Sequence, residues 1–87
     1  MKHTFVIQDK NFEVDIEKEK INGETKYFFH ITRVYQIDEN NTEPAKVPQP
    51  IDVFSISPEE NIPEYWNSHS ECLNWAHNWV ERNHGKL

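Results

Sequence analysis

Asn22-Gly23 constrains this chain more than any other pair of residues. A two-residue type I′ turn needs positive φ at both central positions, and Asn and Gly tolerate that best. Upstream, Phe12-Glu13-Val14-Asp15-Ile16-Glu17 alternates apolar with acidic residues, so one face of a strand is apolar and the other charged. A turn at Asn22-Gly23 sets Ile16 against Phe29, Val14 against Ile31 and Phe12 against Arg33. These partners share a face with Tyr27, Tyr35 and Ile37. Turn chemistry and apolar alternation therefore select the same register. The other face sets Glu17 against Phe28 and Asp15 against His30.

His3, Phe5 and Ile7 form a similar stripe upstream, and Asp9-Lys10 is the expected turn, pairing Ile7 with Phe12 and Phe5 with Val14. Fourteen Ile and Val against four Leu and Ala favour sheet over most of the chain. All five prolines lie between positions 44 and 63. Residues 38–50 thus read as an exposed proline-rich loop, since proline cannot donate to a ladder. Ile51 to Ile56 reads as the next strand. Ser57-Pro58-Glu59-Glu60, with a Ser cap and Pro at the first helical position, predicts one short helical turn.

Ser68 and Glu71 repeat the capping signal, and Gly85 fits a left-handed residue after a helix. Between them Cys72, Trp75, Ala76, Trp79 and Asn83, widened by Leu73 and Val80, recur at helical spacing. A helix this short is marginal alone in water, so its stripe must dock on the sheet or on another chain. The expected architecture is α+β in one domain over 1–87: an antiparallel sheet of about four strands, near 2–8, 12–21, 24–37 and 51–56. It is a β-meander plus one strand after the proline-rich loop, with one C-terminal amphipathic helix near 69–84 packed on one face.

Composition removes several classes of function. Leu, Ile, Val and Phe number 21 of 87, just above the ~20% below which disorder becomes the default. The longest apolar runs, Phe5-Val6-Ile7 and Phe28-Phe29, fall far short of the ~18 residues of a bilayer span, and the N-terminus carries no apolar stretch of a secretory signal. One cysteine, Cys72, excludes an internal disulfide and points to a reducing cytoplasm. Two glycines cannot build a phosphate-cradling loop. A net charge of −6, spread evenly along the chain, argues against a nucleic-acid surface. A meander followed by a helix resembles the double-stranded-RNA-binding fold in outline only. That family opens with a helix and relies on a lysine-rich last helix, whereas here Arg82 and Lys86 stand against Glu71 and Glu81.

The residues able to carry chemistry are few. His77, Glu81 and His84 lie along one side of the helix and suit a first-row metal in ligand type, although a solvated face with a His77-Glu81 pair explains them as well. Asp15 opposite His30 reads as a surface cross-strand pair. Cys72 sits in the first helical turn, where the dipole lowers a thiol pKa, but also on the apolar stripe of the core. Trp66, Trp75 and Trp79 fall within fifteen positions with Tyr65 beside them. Tyr65 and Trp66, preceding the helix, are the candidates for an interaction surface. These features favour a non-enzymatic cytoplasmic domain acting through protein contacts, a homodimer being one form of them, with no cofactor. The alternative is a small-molecule or metal-binding protein that uses the helix histidines and the aromatic cluster.

Overall fold

The computed structural model describes residues 1–37 and 45–87. Four antiparallel strands form one sheet in the order β1-β2-β3-β4: β1 Lys2–Ile7, β2 Lys10–Ile21, β3 Glu24–Ile37 and β4 Ala45–Ile51. A short helix α1 (Val53–Ile56) and a long helix α2 (His69–Asn83) follow, and α2 runs into a 3₁₀ turn at His84–Lys86. The class is α+β, as the alternation in the first half and the amphipathic stripe in the last quarter require.

The central hairpin has the register set by its turn. Asn22 and Gly23 take φ of 52° and 82°, and Phe12, Val14 and Ile16 stand opposite Arg33, Ile31 and Phe29. The first hairpin differs from the reading at Asp9-Lys10. Its turn is Gln8-Asp9, both at positive φ, and Ile7 pairs with Lys10, Phe5 with Phe12 and His3 with Val14. The displacement is two residues, which preserves every side chain's face, so alternation alone does not detect it. Neither Gln8 nor Asp9 is glycine, and a left-handed residue costs roughly 1–2 kcal/mol. Changing them together, Gln8→Asn with Asp9→Gly, is expected to raise the urea midpoint by a fraction of that cost, with the slope unchanged. A lower midpoint would show that the turn carries no strain.

The fourth strand is a second correction. Residues 45–50 are strand, not loop; the rest of that expected loop, 38–44, lies outside the described residues. Thr32 faces Pro50 and Val34 faces Pro48. An antiparallel ladder alternates residues that bond inward with residues whose main chain faces out. Two prolines spaced by two can both take outward positions at a sheet edge, where no donor is needed. The segment expected as the last strand, Ile51 to Ile56, leaves the sheet after Ile51. Asp52 caps α1, its Oδ1 accepting from the main-chain N–H of Phe54 at 3.1 Å and Ser55 at 3.3 Å. The helical signal at Ser57–Glu60 resolves into a turn, with Glu60 N–H donating to the Ser57 carbonyl.

The core lies between α2 and one sheet face. Phe12, Val14, Ile16 and Ile31 from the strands meet Cys72, Ala76, Trp79 and Val80 from the helix, with Val53 of α1 closing one side. Trp79 is fully buried and its indole N–H donates to Ser57 Oγ at 3.1 Å, which satisfies the polar atom such a residue brings inside. Buried Asn83 donates to the Trp79 carbonyl at 2.9 Å. Gly85 does not take the left-handed role read from the sequence. The helix tightens into the 3₁₀ turn with His84 in right-handed geometry, and the Lys10 ammonium donates to the His84 carbonyl. A cation there offsets the negative end of the helix. At the far end of the helix-covered face, the Arg33 guanidinium lies over the rings of Phe12 and Tyr35, 5.4 and 4.5 Å from their centroids. Its stem packs as an apolar group while the charge stacks on π-faces.

Candidate functional site

The aromatic residues between the strands and α2 form a connected stack. Trp66 sits 5.1 Å from Phe29 and 5.3 Å from Trp75, centroid to centroid, and Phe29 lies 5.7 Å from Trp75. Trp66 is held by its main chain as well. Its N–H donates to the Tyr27 carbonyl at 2.8 Å and its carbonyl accepts from Tyr27 N–H at 2.9 Å. This single bridge attaches the segment before α2 to β3, in the same column that β4 occupies further along.

Tyr65 and Trp66, adjacent in sequence, therefore part company. The Trp66 ring is half-buried in the stack on the helix side. Tyr65 is 38% exposed, edge-on to Phe28 at 6.2 Å. Its hydroxyl donates to Glu19, which, with some burial and the nearby Glu64, holds the phenol above its ordinary pKa. Between the end of β4 and the Trp66 bridge lies a cleft of about 620 Å³. Phe28, Phe29, Val53, Phe54 and Trp66 are part of its apolar wall, and Asp52 and Glu64 supply negative charge. The sequence singles out Trp66 but not this cleft, because its walls come from three separate segments, 28–32, 50–54 and 62–66.

Asp52 lies beside that cleft with its carboxylate engaged. Ser55 O–H donates to Oδ2 at 2.7 Å, and this bond, with those from the main chain of Ser55 and Phe54, lowers the pKa from its ordinary 3.8. A depressed carboxyl pKa stabilises the fold above the unfolded value, and the contribution disappears as pH falls through the folded one. The α1 cap is therefore expected to hold at neutral pH and to loosen only below 3.8.

The helix histidines do not converge. His77 Nδ1 lies 3.6 Å from Glu81 Oε1, while the His84 ring donates from Nδ1 to the Glu81 main-chain carbonyl at 2.7 Å. His84 thus turns back on the helix terminus, and no group of three metal-ligating side chains occurs among the described residues. His77 instead places its ring edge against Phe5, 4.8 Å between centroids. Two histidines that the sequence separates by 66 positions do meet. His3 Nε2 and His69 Nε2 are 3.2 Å apart, so one imidazole donates and the other accepts. No local pattern could have announced this contact. Asp15 is opposite His30 in register, yet the His30 ring reaches Glu17 at 3.3 Å and Asp15 lies 3.3 Å from the Met1 amine. Both pairs are exposed and each contributes little to stability.

Cys72 is fully buried and burial pushes its thiol up to about 11, from an ordinary 9.0. Desolvation outweighs the helix dipole, which acts in the opposite sense. No described helix is long and apolar enough to cross a membrane. No family model, curated protein or solved structure matches this chain.

Proposed function

We propose that this chain is a non-enzymatic domain that acts through protein contacts, and that its open β1 edge pairs with β1 of a second copy. The observation that carries this reading is the contrast between the two sheet edges. β4 is blunted by Pro48 and Pro50, whereas β1 is six residues of strand without proline. Met1 and Ile16 exchange main-chain hydrogen bonds at 2.8 and 2.9 Å, so the odd-numbered residues of β1 bond to β2. By alternation, the N–H and C=O groups of Lys2, Thr4 and Val6 face the open side.

An antiparallel copy centred on Thr4 sets Thr4 against its own counterpart and Lys2 against Val6. Each of these residues then exchanges both main-chain bonds with the other copy. Val6, 61% exposed in the single chain, gains cover from the lysine stem. Lysine on an edge ordinarily discourages such pairing, but of the three outward-facing residues only Lys2 is charged, and the pairing sets it against Val6 and not against a second lysine. A contact role is further supported by the chemistry of the candidate nucleophile and bases. Cys72 is held as the thiol, and His30 and His77 face surface carboxylates. The lone, unpaired cysteine is also why we infer a reducing, cytoplasmic setting.

Thr4→Pro tests the edge directly. It removes an outward donor while leaving the β1–β2 ladder intact, as Pro48 and Pro50 do on β4. The expected result is loss of the dimer with an unchanged circular dichroism spectrum. A Thr4→Pro chain that folds and keeps the dimer mass would refute pairing through β1.

A further inference from the structure

The sheet is open in a second place, on the far side from β1. Beside β3, Ile51 stands opposite Ile31 and Trp66 stands opposite Tyr27. Tyr27 turns both its N–H and its C=O toward Trp66. Two residues on, Phe29 must turn its own N–H and C=O into the same column. Among the described residues nothing bonds to them there. An amide pair left without partners beside apolar side chains costs free energy comparable to a lost hydrogen bond, so the slot favours any occupant that satisfies both groups.

The shape of the slot restricts that occupant. Tyr27 and Ile31 are four strand positions apart, roughly 13 Å. A peptide residue opposite Phe29 would stand only two positions from Ile51 and two from Trp66. A strand running along the column would meet this protein's own backbone at either end, so the slot takes a compact body and rejects a through-running peptide. Its walls are aromatic and aliphatic, and its volume of about 620 Å³ falls within the ~300–1,000 Å³ of small-ligand sites. Asp52 and Glu64 at its lining disfavour phosphates and carboxylates, and His30, the one basic side chain in the lining, already stands beside Glu17.

We propose that this cleft binds a neutral or cationic planar heterocycle whose edge carries an N–H beside a C=O, docked on the C=O and N–H of Phe29. The N–H and C=O of one extended residue lie side by side, which is the spacing of a cis-lactam edge. The flat body then slides between the apolar walls, stacking against the aromatic side chains. This site is separate from the β1 edge and does not depend on self-pairing.

The test uses 2-quinolone, a bicyclic cis-lactam, with N-methyl-2-quinolone as its donor-less control, titrated into ¹⁵N-labelled full-length protein. In the free protein, the Phe29 amide is expected to exchange with solvent at least ~10-fold faster than those of Tyr27 and Ile31. On titration, 2-quinolone is expected to shift the Phe29 amide and the Trp66 indole signals. The N-methyl compound should bind about 10-fold more weakly, because it leaves the Phe29 carbonyl without a donor. Phe54→Ala, at a wall residue that is 59% exposed and so dispensable to the core, should weaken 2-quinolone binding without altering the fold. Protection of the Phe29 amide equal to that of its neighbours would show the slot already satisfied and overturn the proposal. Shifts of equal strength with both compounds, or with neither, would overturn it too.

Discussion

Trp79→Ala is expected to cost about 3–5 kcal/mol, the range for removing a large aromatic from a packed core. Trp79 is fully buried, and with Phe12 and Val14 it is among the largest side chains in the interior. A chain of 87 residues has a total stability of roughly 4–13 kcal/mol at ~0.05–0.15 kcal/mol per residue. This one substitution therefore removes from a quarter to all of it. Trp79→Phe separates two contributions, since it keeps an aromatic body but loses the N–H that donates to Ser57. Its expected cost is about 1–3 kcal/mol, the sum of reduced burial and an unpaired Ser57 hydroxyl. Both values come from urea midpoints at constant slope. A Trp79→Ala loss below about 1 kcal/mol would mean that α2 does not dock through this residue.

Cys72 carries the second large expected effect. The thiolate is the reactive form, and a pKa near 11 in place of 9.0 lowers its population about 100-fold at neutral pH. Complete burial adds a steric barrier, so modification by a maleimide or disulfide reagent has to wait for the helix to open. The native chain is expected to react at least ~100-fold more slowly than the urea-unfolded chain. The sign of the pH dependence follows from the raised pKa. The thiol form favours the fold, and that contribution is full below 9.0 and is lost as pH rises toward 11. Reaction of the native protein at the unfolded rate would place Cys72 on the surface and contradict the packing of α2 on the sheet.

What the sequence revealed and what it concealed divide along physical lines. The central hairpin was legible because Asn22-Gly23 and the alternation of Phe12, Val14 and Ile16 are independent signals for one register. The first hairpin had alternation alone, since Gln8-Asp9 is a poor advertisement for a left-handed turn, and a two-residue slip costs no change of face. β4 is hidden in the sequence because proline argues against a ladder, yet the two-residue spacing puts Pro48 and Pro50 on the free side of an edge. Asp52 falls inside the segment that reads as a strand from Ile51 to Ile56, while its carboxylate in fact caps α1. Tyr65 and Trp66 stood out by residue type, but their divergence onto opposite sides of the sheet depends on the Trp66–Tyr27 bridge, a contact across 39 positions that no local pattern encodes. The meeting of His3 with His69 is of the same kind.

The most direct test of self-pairing is the solution mass of the native chain by light scattering over a hundredfold range of concentration. A strand-edge contact of six residues is small and wet beside an obligate interface, so dissociation on dilution is expected. The expected result is a mass that climbs from 10.4 kDa toward twice that value as concentration rises. A constant 10.4 kDa across the whole range would contradict pairing through β1.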